Sequence, residues 1–121
     1  MECQERLQMI IDGFQKHRKA FTAIGDETRQ IILLVLLKSD LSGIRVGEIA
    51  KKTHLTRPSV SHHLQILKEA GIVAMRREGT KNYYYFDANQ SLWAEMLELF
   101  QLANELVKDA SENGRPTDGM E

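Results

Sequence analysis

Along the first third of the chain, apolar residues recur every three or four positions, which is typical of amphipathic helices. Because Leu7, Ile10, Ile11, Phe14 and Phe21 recur at helical spacing, the first helix is predicted over about residues 4–20. Asp26 is a good N-cap, because a short carboxylate accepts hydrogen bonds from the free amides that begin a helix. A second helix is therefore predicted over about residues 26–38, with a buried stripe of Ile31, Leu34 and Val35.

A short helix and a longer helix follow, separated by a tight turn. The short helix is predicted over about residues 46–53, with Val46, Ile49 and Ala50 facing inward. Thr56 is a plausible N-cap for the longer helix, predicted over about residues 57–70, and Gly71 provides a left-handed stop. Two helices joined by so short a turn are the arrangement of a helix-turn-helix.

Beyond Gly71 the apolar period changes from that of a helix towards that of a strand. Residues 73–77 and 83–86 are predicted as the two strands of a β-hairpin, with residues 78–82 as its turn. The aromatic second strand is assigned to packing rather than to base stacking, because alternate residues of a strand must face the core. Three cations surround the turn and suit a charged wing: Arg76, Arg77 and Lys81.

The last helix, predicted over about residues 90–110, is apolar over a wide part of its surface. Its apolar positions cover an arc of roughly 220°, whereas one core needs about half of that. Part of the helix is therefore expected to pack within the chain and part on a second copy, together with the first helix; the alternative is complete burial in the monomer. The residues expected at the dimer interface are Leu7, Ile10, Ile11, Phe14, Trp93, Met96, Phe100, Ala103, Leu106 and Val107.

These elements predict a mainly α fold with a small β-hairpin. A chain of 121 residues is too short for two ordinary cores, so a single domain is expected over residues 1–110. Residues 111–121 have no apolar periodicity and are expected to form a disordered tail.

Composition agrees with a globular helical protein, since hydrophobic residues make up 42% and only two residues are proline. The longest apolar run, residues 31–37, is far shorter than the roughly 20 residues of a membrane helix, and the N-terminus has no signal-peptide pattern. Cys3 is the single cysteine and cannot form an intrachain disulfide. We therefore expect a cytoplasmic protein without a membrane partner.

The net charge of −1 hides a basic middle segment. From Lys16 to Lys81 there are thirteen Lys or Arg residues and six Asp or Glu residues, a local net charge of +7. Such a segment attracts a polyanion, because counterion release depends on local charge. A merely solvated basic surface is the alternative.

The longer helix has an apolar face, formed by Val60, Leu64 and Leu67, and an opposite face that is polar but uncharged. Hydroxyl, amide and imidazole groups on that face can approach base edges and phosphates closely. The segment therefore predicts a DNA-reading helix beside a basic wing. The residues expected to contact DNA are Arg57, Ser59, Ser61, His62, Gln65, Arg76, Arg77 and Lys81.

Two other classes of function are alternatives to a DNA-binding regulator. A winged-helix interaction module would use the basic wing for an acidic protein partner rather than for DNA. An enzyme would need a nucleophile beside a base, but Ser61 and His62 are adjacent on a helix and do not face each other. A non-enzymatic, sequence-specific DNA-binding regulator is therefore the leading hypothesis, and a dimer axis predicts an inverted-repeat operator.

Several segments in a fixed order carry a resemblance to a known family. They are Phe21–Arg29, Val46–Ala50, Ser59–Val73, and Arg77–Gly79 leading into Tyr83–Tyr85. Over about residues 20–87 the chain resembles the ArsR/SmtB family of bacterial repressors. The resemblance implies a winged helix-turn-helix homodimer that binds double-stranded operator DNA. Ser61 and His62 lie at the family's main DNA-contacting positions, and Arg57 and Ser59 at neighbouring ones.

The metal-binding positions of that family differ in this chain. The family's thiolate sensors carry Cys-Val-Cys where this chain has Arg45-Val46-Gly47, and its zinc sensors use a histidine on the last helix, whereas no histidine follows His63. No metal site and no cofactor are therefore expected. The inducing signal stays open, with an unknown small molecule or a redox event at Cys3 as candidates. His63 itself is expected to be a packed histidine bonded to backbone rather than a DNA contact.

Overall fold

The computed structural model of the chain describes residues 2–88 and 92–113. In chain order the elements are α1 (Cys3–Lys16), α2 (Arg18–Ile24), α3 (Glu27–Lys38), α4 (Val46–Thr53), α5 (Arg57–Glu69), β1 (Val73–Glu78), β2 (Lys81–Phe86) and α6 (Leu92–Glu112). They form two compact units: α1 and α6 make one, and α2 through β2 make the other. The prediction of a mainly α fold with one hairpin is confirmed.

In the first unit, α1 and α6 pack in antiparallel directions. Arg6, near the start of α1, lies 2.7 Å from the carboxylate of Asp109 near the end of α6, and Lys16, at the end of α1, lies 2.5 Å from Glu95 near the start of α6. The hydrogen bond from Arg6 to Asp109 raises the pKa of the guanidinium above its ordinary value. The buried apolar residues of this unit are Ile10, Leu92, Met96 and Leu99.

The single helix predicted over residues 4–20 is wrong, because the chain breaks it at His17 into α1 and α2. His17 ends α1 with φ −101° and ψ 18°, and its amide donates to the carbonyl oxygen of Gly13. Its ring is buried, with Nε2 3.4 Å from Oε1 of Glu95. The apolar period continues across the break, so periodicity alone could not reveal it.

The N-cap predicted for α3 is confirmed, since Oδ2 of Asp26 accepts a 3.0 Å hydrogen bond from the amide of Arg29. The predicted buried stripe is wrong: Ile31 and Leu34 are exposed, and the buried residues of this helix are Ile32 and Leu36. Residues 31–37 are all apolar, and such a run does not mark which face of the helix turns inward.

Replacing Asp26 with Ala should lower the midpoint of thermal unfolding by about 5 °C, because the first turn of α3 loses its cap. The Arg29 amide, together with its guanidinium charge, holds the pKa of Asp26 below its ordinary value. A carboxyl with a lowered pKa in the folded state stabilises the fold above its unfolded pKa and loses that effect as the pH falls through the folded pKa. The difference between wild type and variant should therefore be complete at pH 6 and shrink below about pH 4. Thermal melts at pH 6 and pH 3 measure it.

Asp26→Asn is the matched control for this cap. Asparagine caps a helix about as well as aspartate, so this variant should keep most of the stability and lose only the pH dependence. A Tm difference for Asp26→Ala that is as large at pH 3 as at pH 6 would contradict the role given to the carboxylate.

The helix-turn-helix is formed by α4 and α5, and the predicted bounds of α4 are confirmed. The predicted cap of α5 is also confirmed, because Oγ1 of Thr56 accepts a 3.2 Å hydrogen bond from the Ser59 amide. Gly71 follows α5 with φ 81°, a left-handed conformation that costs glycine little. The next amide, of Ile72, then donates back to the carbonyl oxygen of Leu67 at 3.0 Å.

The hairpin pairs β1 with β2 in antiparallel register, from Val73 opposite Phe86 to Glu78 opposite Lys81. Its turn is only residues 79–80, shorter than the predicted 78–82, so Lys81 already lies in β2. Ile44 forms an additional bridge to Tyr84, with two backbone hydrogen bonds of 2.9 Å. No periodic pattern could predict a bridge made by one residue.

The last helix extends to Glu112, so Ser111 and Glu112 are helical and the predicted start of the tail at residue 111 is too early. The rest of the predicted tail, from residue 114, lies outside the described residues. In the part of the chain that the structure describes, every helix is too short or too polar to cross a membrane.

Candidate nucleic-acid interface

Helix α5 has a polar face that is exposed to solvent and an opposite apolar face that is completely buried. Val60, Leu64 and Leu67 have no measurable exposure. Ser61 and His62, by contrast, are exposed on the outer face. The core of the second unit thus holds the helix in place while its uncharged polar side faces solvent.

The remaining predicted contact residues of α5 differ in how free they are. Arg57 and Gln65 are exposed, whereas Ser59 is half-buried. The side-chain amide of Gln65 donates a 3.1 Å hydrogen bond to Glu69, which orients it along the helix surface. Gln65 can therefore contact a ligand from a fixed position, and the hydroxyl of Ser59 has less room to do so.

The three predicted wing cations differ in their contacts: Arg76 is bonded to residues of the hairpin and of a distant loop, whereas Arg77 donates to the carbonyl oxygen of Gly79 in the hairpin turn, at 3.0 Å. Nε of Arg76 donates to Glu78 at 2.9 Å, one of its terminal nitrogens donates to the carbonyl oxygen of Ser42, and its guanidinium lies 4.8 Å from the centre of the Tyr83 ring. Arg77 and Lys81 are both exposed. Arg76 therefore anchors the hairpin to the loop before α4, and its predicted contact with DNA stays a prediction.

Helix α5 is also bonded to the preceding helices through His63, which is half-buried. Its Nδ1 lies 3.3 Å from Nη1 of Arg29, so the predicted packed histidine has a guanidinium as its partner rather than backbone. Nε of Arg29 in turn donates to the carbonyl oxygen of Ala23 at 2.8 Å. The ring of His62 lies edge-on to that of His63, with centroids 5.6 Å apart. These contacts position the part of α5 that carries the exposed imidazole of His62.

A second candidate surface lies on the unit of α1 and α6. Four large apolar side chains on α6 are between 41% and 60% exposed and are here called the α6 seam: Trp93, Leu97, Phe100 and Val107. With Asn104 they follow the alternating spacing of four and three residues that is typical of helices packing on helices. On α1, the exposed apolar residues include Leu7, Ile11 and Phe14.

The residues predicted at the dimer interface differ in their exposure within the chain. Ile10 and Met96 are buried within the chain, so they cannot supply an outer face. Leu97, at 60% the most exposed residue of the α6 seam, does not belong to the set predicted from the sequence. Ala103 and Leu106 are half-buried at its edge.

Metal-ligating side chains do not cluster within residues 2–88 and 92–113: no three His, Cys, Asp or Glu residues there are placed to hold an ion. Cys3 is an exposed free thiol near the start of α1.

Two helices joined by a tight turn, the second with a solvent-facing polar side, and a hairpin with exposed cations define a winged helix-turn-helix protein. A solved structure of the homodimeric winged helix-turn-helix DNA-binding domain from Mycobacterium bovis has the same fold. It aligns with a TM-score of 0.56 and 26% identity, covering 93% of this chain and 94% of that one.

Residues 26–74 match the family described as bacterial regulatory protein, arsR family. The chain is 41% identical over 75 residues to an uncharacterised HTH-type transcriptional regulator of Methanocaldococcus jannaschii, a match to 62% of this chain and 82% of that protein. It is 42% identical over 64 residues to the transcriptional repressor SdpR of Bacillus subtilis, covering 53% of this chain and 68% of the repressor. The chain belongs to the ArsR family, which confirms the resemblance read from its sequence.

Proposed function

We propose that the protein is a homodimeric transcriptional repressor that binds an inverted-repeat DNA operator. The observation that carries the proposal is the exposed, uncharged polar face of α5, held from behind by a fully buried apolar face and flanked by the exposed cations of the hairpin. The name of the Bacillus subtilis relative supports repression, and the name of the Mycobacterium bovis neighbour supports DNA binding by a homodimer.

Sequence readout is assigned to Ser61, His62 and Gln65. Their side chains carry hydrogen-bond donors and acceptors and project from the middle of a helix of 13 residues. An α-helix fits the width of the DNA major groove. Arg57, at the first position of α5, can reach a phosphate or a guanine. Ser59 is half-buried at that end, and we give it a phosphate contact at most.

Backbone contacts are assigned to Arg77 and Lys81 on the wing. Both are exposed and lie at the end of the hairpin, where an extended pair of strands can lie along a phosphate backbone or its minor groove. Arg76 is left out, because Glu78 already neutralises its charge.

Dimerisation is assigned to the α6 seam and the exposed apolar residues of α1. Burying such a stripe against a second copy removes apolar surface from water without exposing new polar groups. Asn104 interrupts the seam, and a single buried polar residue at such a position fixes the register of two helices. The two recognition helices should then enter successive major grooves about 34 Å apart.

The proposal is tested by fluorescence anisotropy with DNA from upstream of the protein's own coding region and with random DNA of equal length. Tight binding to the upstream DNA, at least about a thousandfold above random DNA, is expected for a specific regulator. Equal affinity for both DNAs at every salt concentration would overturn sequence-specific binding, and the interaction module would become the better hypothesis.

Removing the wing cations should weaken binding to all DNA sequences alike. Arg77→Ala with Lys81→Ala should reduce the slope of log affinity against log salt concentration by about one for each lost phosphate contact. Lys19→Ala, an exposed cation on α2, is the matched control and should leave the slope unchanged. A slope that does not move in the wing variant would remove the wing from the interface.

A further inference from the structure

A groove with a volume of about 650 Å³ lies outside the reading face of α5. Its walls come from the loop before α4, the first two turns of α4, the first residue of α5 and Tyr83 of β2, all within the second unit. We call it the α4 groove. Sites for small molecules commonly have volumes of about 300–1,000 Å³, so this one has room for a ligand of several ring or phosphate groups.

The charges in the α4 groove are strongly unbalanced. Its cationic side chains are Arg45, Lys51, Lys52 and Arg57, and its anionic ones are Asp40 and Glu48. Oδ1 of Asp40 accepts a 2.9 Å hydrogen bond from the amide of Ser42, and this hydrogen bond lowers the pKa of the Asp40 carboxyl. The lowered pKa keeps Asp40 ionised, so four cations face two carboxylates and the α4 groove has an excess of two positive charges.

Within the part of the chain that the structure describes, three of these four cations have no hydrogen-bond or ion-pair partner. Lys52 donates a 3.2 Å hydrogen bond to Ser39. Among residues 2–88 and 92–113, no hydrogen bond or ion pair engages the side-chain nitrogens of Arg45, Lys51 or Arg57. Clustered like charges repel one another, and a bound anion relieves that repulsion.

One of the cations, Arg57, lies against the first turn of α4. A Cβ atom on Gly47 would lie 2.8 Å from Nη2 of Arg57 and 3.0 Å from its Cζ, closer than side chains approach. Glycine at this position therefore lets the guanidinium rest on the first turn of α4. The guanidinium is exposed there, so its paired N–H groups are accessible to an anion.

We propose that the α4 groove is a binding site for phosphate groups. A phosphate carries up to two negative charges and three acceptor oxygens, which suits the fork of an arginine together with the point charges of lysines. The phosphates can come from a free phosphorylated small molecule or from the DNA backbone. If the source is a free ligand, it would occupy Arg57 and withdraw it from DNA; this consequence rests on the proposed repressor function.

The test uses the full chain and inorganic pyrophosphate as the probe, titrated by isothermal calorimetry at constant ionic strength. We expect saturable binding with one site per chain, weakened at least tenfold in Arg45→Gln with Lys51→Gln. Both positions are exposed, so the variant should fold, and a thermal melt checks this. The matched control is Arg18→Gln with Lys19→Gln, which removes the same two charges from exposed positions of α2 and should leave pyrophosphate binding unchanged.

The salt dependence of DNA binding by the same groove variant distinguishes the sources. A slope lowered by about two identifies the DNA backbone as the ligand, because two phosphate contacts are lost. Loss of pyrophosphate binding with an unchanged slope identifies a free phosphorylated ligand. No effect of the groove variant in either experiment, or an equal loss of pyrophosphate binding in the control, overturns the proposal. A wild type that binds no DNA would refute the repressor function, while the pyrophosphate titration would still decide the site.

Discussion

A chain carrying Phe100→Glu and Val107→Glu should sediment as a monomer and lose its tight binding to operator DNA. Both residues lie in the α6 seam, seven positions apart and about half exposed, so the substitutions leave the core of the chain untouched. In the proposed dimer they would place four carboxylates in a desolvated interface. An uncompensated buried charge costs about 3–5 kcal/mol, which raises the dissociation constant of the dimer more than about a hundredfold.

The control for this variant places the same two charges elsewhere on α6. Ala94→Glu with Gln101→Glu changes exposed positions outside the seam, and this chain should remain dimeric and bind DNA normally. Sedimentation velocity at micromolar concentration measures the assembly, and fluorescence anisotropy measures the DNA affinity. If the seam variant still sediments as a dimer, the interface lies on another surface of the chain.

Local signals predicted the ends of several elements correctly. Asp26 and Thr56 cap their helices through hydrogen bonds to amides three residues ahead, and Gly71 ends α5 in a left-handed conformation. Each of these features depends on a few consecutive residues, so sequence alone contains the information.

The errors in the predicted fold come from patterns with more than one solution. The apolar spacing that spans His17 fits one long helix as well as two, and only the tertiary contacts of the His17 ring mark the break. In α3 the apolar run from Ile31 to Leu37 leaves the inward face undefined, since any side of such a helix could pack. Burial of Ile32 and Leu36 is decided by the neighbouring helices.

The candidate site shows the same division between local and distant information. The alternation of buried and exposed positions on α5 was readable from the sequence, because it depends on one helix. The engagement of Arg76 by Ser42, 34 residues away, and of His63 by Arg29, also 34 residues away, has no local signature. The sequence therefore could not show that Arg76 is bonded to the loop before α4.

Loss of sequence preference is the expected result for Ser61→Ala with His62→Ala, and it tests the central element of the proposal. Each lost base or phosphate contact in the major groove should cost roughly 1–3 kcal/mol, which is about 5- to 150-fold in affinity. Because the two residues face solvent and α5 is held by its buried side, the double variant should fold with the thermal stability of the wild type. Non-specific binding should change little, since the double substitution leaves the cations of the wing in place.

The measurement compares sites enriched from a pool of random double-stranded oligonucleotides by the wild type and by the double variant. The wild type should enrich an imperfect inverted repeat with half-sites one helical turn apart, and the double variant should enrich no such pattern while still retaining DNA at low salt. Two other variants separate reading from anchoring. Arg77→Ala should lower the affinity and still enrich the same repeat, and Lys68→Ala, an exposed change further along α5, should do neither. Enrichment of the wild-type repeat by the Ser61/His62 variant would show that α5 is not the reading element, because a helix stripped of both central contacts cannot then be the source of the preference.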